Sequence, residues 1–331
     1  MSTSDSCKDG ASKSNNDEVC DEVNDMLQNM STADDSVSVC ANCGKEGDDV
    51  KNICNKCKMV KYCNAACKKK HRSKHKKQCE RRVAELHDVE LFKEPPPLDD
   101  CPICFLLLPT LNTGRNYNSC CGKVICNGCT YSPVFDDQGN EVDNQKCPYC
   151  RAPFPASTEE ASEREKIRVE AGDVIAVYNL GCDYSEGKNG FPQDYKKALE
   201  LWHRAAELGY TKAYCSIGYL FEHGRGVERD RKKAKHYFEL AAMKGDADAR
   251  YNLGITAAKE GNWERALKHF MIAVRCGHDD SLEKIKQLYS VGTATKEEYT
   301  KALQSYQAYF GEIKSSQRDK AAAHSDRFRY Y

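Results

Sequence analysis

Hydrophobic and polar positions divide the chain into two regimes. Residues 173 to 311 are alanine-rich and helix-forming, and the pattern repeats: Leu180-Gly181, Ile217-Gly218 and Leu253-Gly254 fall in register, as do Ala198, Ala234, Ala266 and Ala302, and then Gly209, Gly245 and Gly277. The interval is 36 or 37 residues, and once 32. Small residues at Ala205-Ala206, Ala241-Ala242 and Ala273 stand where two helices must approach closely, and the glycine that follows can close the second helix in a left-handed cap. Each unit is predicted to be a helical hairpin. One hairpin cannot bury its own apolar face but stacked neighbours can, so three full units and a degenerate fourth predict a continuous superhelical core. The fold class expected is mainly α, a helical-hairpin solenoid preceded by two small metal-stabilised modules.

The polar regime lies ahead of the repeats. Residues 1–39 hold nine acids against Lys8 and Lys13 and no aromatic, the composition of a disordered tail. Residues 83–100 read as a helix followed by a proline linker, because EPPPLDD at 94–100 withholds amide donors and favours extended backbone. Residues 153–172 read as a second linker and 312–331 as a C-terminal tail. The 331 residues carry 50 basic and 50 acidic side chains, so net charge indicates no general polyanion binding. No apolar run is long enough to span a membrane, and the polar start is unlike a secretory signal. The expected setting is therefore cytoplasmic or nuclear, where thiols stay reduced and twenty cysteines read as metal ligands before disulfides.

Between residues 40 and 82, Cys40-x2-Cys43 and Cys54-x2-Cys57 can each turn two thiolates toward one metal, and Cys63-x3-Cys67 and His75-x3-Cys79 place pairs on one helix face. Eight ligands fill two tetrahedral sites. A segment this poor in apolar residues needs metal to fold, and structural zinc can supply ~10–16 kcal/mol per site. The string resembles a MYND-type zinc finger, including Tyr62 and the closing HKKQC. The resemblance implies interleaving: Cys40, Cys43, Cys63 and Cys67 on one zinc, and Cys54, Cys57, His75 and Cys79 on the other. It also implies docking of short proline-containing peptides, although Arg72 stands where the family usually has tryptophan. Residues 68–82 carry nine Lys and Arg against Glu80. They are read as the solvent face of this module, and with no aromatic platform among them nucleic acid is not an expected partner.

Residues 101–152 contain CPIC at 101–104, CCGKVICNGC at 120–129 and CPYCR at 147–151. The three Cys-x2-Cys knuckles resemble those of a RING finger. That resemblance implies Cys101, Cys104, Cys126 and Cys129 on one zinc, with Cys147 and Cys150 on a second. The family's histidine is replaced by Lys123, which has no lone pair while protonated. Either Cys120 and Cys121 both complete the second set, which requires a turn over 119–122, or that set is short of ligands. Two thiolates on one zinc lie ~3.8 Å apart for Zn–S of ~2.3 Å. Ile103, Pro148 and Arg151 match positions through which active RING members contact a ubiquitin-conjugating enzyme and ubiquitin. The implied chemistry is orientation of a charged thioester, with no nucleophile in this chain.

The repeats, best seen in IGYLFEHGRGVERDRKKAKHYFELAAMKG at 217–245, resemble the Sel-like relatives of tetratricopeptide repeats. That implies a protein-binding scaffold. The third unit lacks the loop supplied by Gly224, Gly226 and Val227 in the second, which accounts for the 32-residue interval. Cys182, Cys215 and Cys276 stand singly in helices and read as small buried hydrophobes. Two functions follow: a RING-type ubiquitin ligase whose finger and repeats recruit proteins, or a non-catalytic zinc-stabilised adaptor.

Overall fold

A computed structural model describes residues 38–110, 114–132, 138 and 146–330. All but the last two residues of the expected acidic tail lie outside the described residues. The chain divides into two compact units, one ending at Leu86 and the other beginning at His87.

The first unit is a short antiparallel pair, β1 (Asn52–Ile53) with β2 (Lys61–Tyr62), followed by helix α1 (Ala65–Leu91). Its core is made of Val50, Tyr62 and the cysteines themselves. Lys69, Lys70, Arg72, Lys74, Lys76 and Lys77 of α1 are exposed, as a helix whose buried positions are metal-spaced requires.

In the second unit, the end of α1 packs Leu91, fully buried, against Phe238, Ala241 and Leu253. Asp88 takes a two-pronged ion pair from Arg265 at 2.8 and 2.9 Å. The hairpin β3 (Arg115–Asn118) and β4 (Lys123–Cys126) leads into a one-turn helix, α2 (Asn127–Tyr131).

Helical hairpins then follow in order: α4 (Val174–Glu186) with α5 (Tyr195–Glu207), α6 (Thr211–His223) with α7 (Arg231–Met243), α8 (Ala247–Lys259) with α9 (Trp263–Arg275), and α10 (Asp279–Ser290) with α11 (Lys296–Ile313). They are preceded by α3 (Thr158–Glu170) and followed by α12 (Ser316–His324). The repeated small residues have a specific task. A Cβ on Gly181, Gly218 or Gly254 would lie 2.6, 2.8 or 2.4 Å from Trp202, Phe238 or Phe270, so a bare backbone admits each aromatic of the following helix. Ala198, Ala234, Ala266 and Ala302 are all buried at the start of the second helices. Gly209, Gly245 and Gly277 adopt φ of +94°, +92° and +78°. Each is the left-handed residue of a Schellman turn, as in Tyr210 N–H donating to Ala205 O at 2.9 Å.

Residues 153–172 and 312–331, read from their polarity as linker and tail, both contain helices. Ser157 caps α3 by accepting from Glu160 N–H, and Val169 joins the repeat core. At the C-terminus, α12 lies against α2, and Tyr330 is buried with Tyr309 and Ile313. Long-range apolar anchors fix both segments, where local composition signals solvent.

Candidate zinc centres

Four left-handed residues build four of the knuckles. Gly44, Lys58, Phe105 and Arg151, each directly after the second cysteine of its pair, have φ of +73°, +58°, +56° and +64°. Each donates its N–H to the carbonyl of the first cysteine at 2.9–3.0 Å, and this turn aims both sulfurs inward. Three of the four are not glycine and carry the ~1–2 kcal/mol steric cost of that conformation. The fifth pair, Cys126 and Cys129, is placed by the first turn of α2, and Cys63 and Cys67 by the start of α1.

Among the described residues sixteen donors gather into four sets, and within each set all ligand atoms lie within 4.8 Å of one another. In the first unit Cys40, Cys43, Cys63 and Cys67 form one set, with Cys43 and Cys63 sulfurs 3.7 Å apart. Cys54, Cys57, His75 and Cys79 form the other, with Cys54 and Cys79 sulfurs 3.8 Å apart and His75 Nε2 3.2 Å from Cys57 Sγ. His71 stands outside both, its Nδ1 3.2 Å from the buried Tyr62 hydroxyl and its ring stacked on His75. In the second unit Cys101, Cys104, Cys126 and Cys129 come together, Cys104 and Cys126 at 3.8 Å.

The last set contains Cys120, Cys121, Cys147 and Cys150, with Cys121–Cys147 at 3.8 Å and Cys120–Cys150 at 3.4 Å. The turn that adjacent cysteines need is present: the amides of Cys121 and Gly122 both reach Asn118 O, and Gly122 sits at φ +70°. Lys123 opens β4 and belongs to no set. The tip of this turn rests on the repeats. A Cβ on Gly122 would meet the Arg168 guanidinium at 1.6 Å, and Arg168 is held by Asp173, the cap of α4, at 2.7 Å.

The electrostatics of the sets call for a cation. Burial works against the Cys54 thiolate, yet the amides of Cys57 and Lys56 and the His75 and Cys57 side chains bring it down to about 6. Its partner Cys79 is pushed up to about 11, by burial first and then by Cys54. Cys63, facing Cys67, rises to about 12, while amide donors from Cys63, Cys43 and Asn42 outweigh burial to hold Cys40 at about 6. Burial raises Cys121 to about 11 and raises Cys120 as well. Sulfurs packed this tightly cannot all ionise unless a dication sits among them. Sulfur separations of 3.4–3.8 Å, thiolate-rich donors and two-residue knuckles fit tetrahedral zinc. Closed four-donor sets suit structural metal, since catalysis needs an open coordination position.

Of the matched contact residues, Ile103 is partly buried against the Cys101 set, Pro148 is partly exposed, and Arg151 is exposed. Two neighbours in the knuckles stand out beside them: Phe105 is 76% exposed and Tyr149 45%. The strings CPICF and CPYC display both, as apolar side chains on loops too short to bury them. Cys276 is buried and Cys182 and Cys215 partly so, in keeping with packing roles.

Comparison with known proteins divides the chain in the same places. Residues 40–79 match the MYND finger family, and residues 174–210 and 211–246 each match the Sel1 repeat. Residues 101–151 lie between these matches. Over 105 residues the chain is 33% identical to the ERAD-associated E3 ubiquitin-protein ligase component HRD3B of Arabidopsis thaliana, covering 31% of this chain and 16% of that protein. It is 43% identical over 103 residues to DAP3-binding cell death enhancer 1 of Mus musculus, covering 30% and 20%, and 29% identical over 118 residues to Chitin synthase regulatory factor 4 of Schizosaccharomyces pombe, covering 35% and 19%. The chain thus spans a fifth or less of the length of these relatives. Among solved structures, a Sel1 repeat protein from Oxalobacter formigenes aligns with a TM-score of 0.42 and 22% identity over 54% of this chain and 74% of that one. A MYND finger at 40–79 and two Sel1 repeats at 174–246, with donor sets that fit zinc, support a zinc-binding protein-interaction protein.

Proposed function

We propose that residues 101–151 form a RING-like cross-brace that docks a ubiquitin-conjugating enzyme, while the MYND finger and the repeats hold substrate or adaptor proteins. The observation that carries this reading is the pairing of the last two donor sets: Cys120 and Cys121 complete the set that the replaced histidine put in question, and the sets alternate along the chain. Ile103 and Phe105 lie on the knuckle loop of one set and Pro148, Tyr149 and Arg151 on that of the other, with Phe105, Tyr149 and Arg151 exposed. Such a module contributes orientation, holding a thioester for attack by a substrate lysine, and no reacting group. In a reconstituted assay with activating enzyme and a panel of conjugating enzymes, Ile103→Ala is expected to cut ubiquitin transfer at least ~10-fold, a loss of ~1.4 kcal/mol, with zinc content unchanged. No transfer by the native protein with any conjugating enzyme would refute the reading.

A second reading, a scaffold that catalyses nothing, is favoured by one specific observation. Asn127, Gly128, Cys129 and Tyr131 of α2 are buried, and α12 packs across that helix. Part of the module's surface is thereby committed to the chain's own C-terminus.

A further inference from the structure

The contacts of α12 place a buried cation beside a buried anionic site. Arg318 is 1% exposed. Its Nη1 donates to Leu107 O at 2.8 Å and Ile313 O at 2.6 Å. Its Nη2 faces Leu106 O at 3.5 Å and Cys104 Sγ at 3.7 Å. Among the described residues no carboxylate lies within ion-pair distance of it. A guanidinium stays charged at any physiological pH, so burying one without a counter-charge is costly.

The charge of the neighbouring site answers this. Zinc with four thiolates carries a net charge of −2, and with three thiolates and a neutral histidine −1. Of the three all-cysteine sets, Cys101/Cys104/Cys126/Cys129 is the most buried, with Cys101 fully hidden and Cys126 and Cys129 at 1% and 3% exposure. The other two each leave one cysteine exposed to water, Cys43 in one and Cys150 in the other. The set that solvent screens least is the set that Arg318 approaches. The fit is close: a Cβ on Gly128, between Cys126 and Cys129, would lie 2.8 Å from Arg318 Cγ, and Asn127 donates to Arg327 O at 3.3 Å. Ser315 caps α12 through the Arg318 amide, which sets the turn on which the guanidinium is carried.

We infer that Arg318 is the charge-compensating positioning residue of the Cys101/Cys104/Cys126/Cys129 zinc site, and that the C-terminal segment secures this zinc through it. The inference rests on zinc occupying that set, and it is independent of ligase activity. It is tested in the full-length, zinc-loaded protein by the rate at which each cysteine is alkylated by iodoacetamide, resolved by peptide mass spectrometry, in Arg318→Gln and Arg318→Lys. Both replacements are long and can hydrogen-bond, but only lysine keeps the charge. Arg318→Gln is expected to speed alkylation of these four cysteines about tenfold or more, the scale on which outer-shell partners change metal affinity. Arg318→Lys should stay within about threefold of the native rate, and Cys54, Cys57 and Cys79 should be unaffected in both. Equal rates in the two variants, whether both fast from lost packing or both native-like, would overturn the role assigned to Arg318. Native protein whose four cysteines react as fast as zinc-stripped protein would overturn the zinc reading beneath it, and is told apart because no variant is involved.

Discussion

Glu165 of α3 and Asp183 of α4 are interacting carboxyl groups at the start of the repeats. Asp183 also accepts from Asn189 Nδ2 at 2.9 Å. Burial, and then the Asp183 carboxylate, raise Glu165 from 4.5 to about 7. A carboxyl raised in the folded state is a stability cost wherever the unfolded chain would be ionised. That cost is absent below the unfolded value near 4.5, grows as pH rises, and is complete above about 7. Glu165→Gln keeps the shape and a donor toward Asp183 and removes the cost. It is expected to stabilise the protein at pH 8 by about 1–2 kcal/mol after allowance for partial exposure, and by nothing at pH 4.5. Thermal unfolding of both proteins across this range checks it, and a difference that does not vary with pH would contradict the pairing.

Single residues also show what sequence reading reaches. Fourteen of the sixteen donors were legible because metal spacing is local: two residues between cysteines or three along a helix fix which side chains can converge, whereas the adjacent Cys120 and Cys121 follow no such spacing and left two outcomes open. The left-handed Lys58, Phe105 and Arg151 were not, since their types favour other conformations and it is the knuckle turn, closed by each N–H on the first cysteine's carbonyl, that holds them there.

At the level of elements, the hairpins rest on aromatic side chains pressed onto bare helix backbone. Gly254→Ala would bring a Cβ to 2.4 Å from the Phe270 ring, which the buried cluster around Ala257, Leu267 and Ile285 leaves little room to yield. The expected cost is ~1–3 kcal/mol, read as a lowered urea midpoint with an unchanged slope. A variant as stable as the native protein would show the third hairpin to be looser than described. The repeat register was legible because the same contact recurs at a fixed interval. The shortened interval is also visible in the fold, since α8 passes to α9 over three residues whereas α6 reaches α7 over seven. Helix α3 was hidden by its charge: TEEASEREKIRVE reads as solvent-facing, and only the Ser157 cap and Val169 betray a packed helix. Helix α12 was hidden by distance, as a lone arginine 214 positions from Cys104 leaves no periodic signal.

For the whole molecule, metal sites and repeats provide stability in different ways. The first unit has a core made largely of its own ligands, so its fold is inseparable from its zinc. The repeats carry a succession of apolar clusters from Val169 to Tyr309 and need no metal for them. The second pair of donor sets joins the two principles, its Cys120–Gly122 turn resting on Arg168 and its Cys101 set meeting Arg318. No described helix is long and apolar enough to cross a membrane. The four donor sets among the described residues are each expected to hold one zinc, with Cys120 and Cys121 among the ligands. Native mass spectrometry of the full-length protein, alone and as Cys120→Ser and Cys121→Ser, tests it most directly. Four zinc ions are expected in the native chain, one for each set, and the loss of a single zinc in either variant. A native count below this, or a full complement retained in both variants, would contradict it.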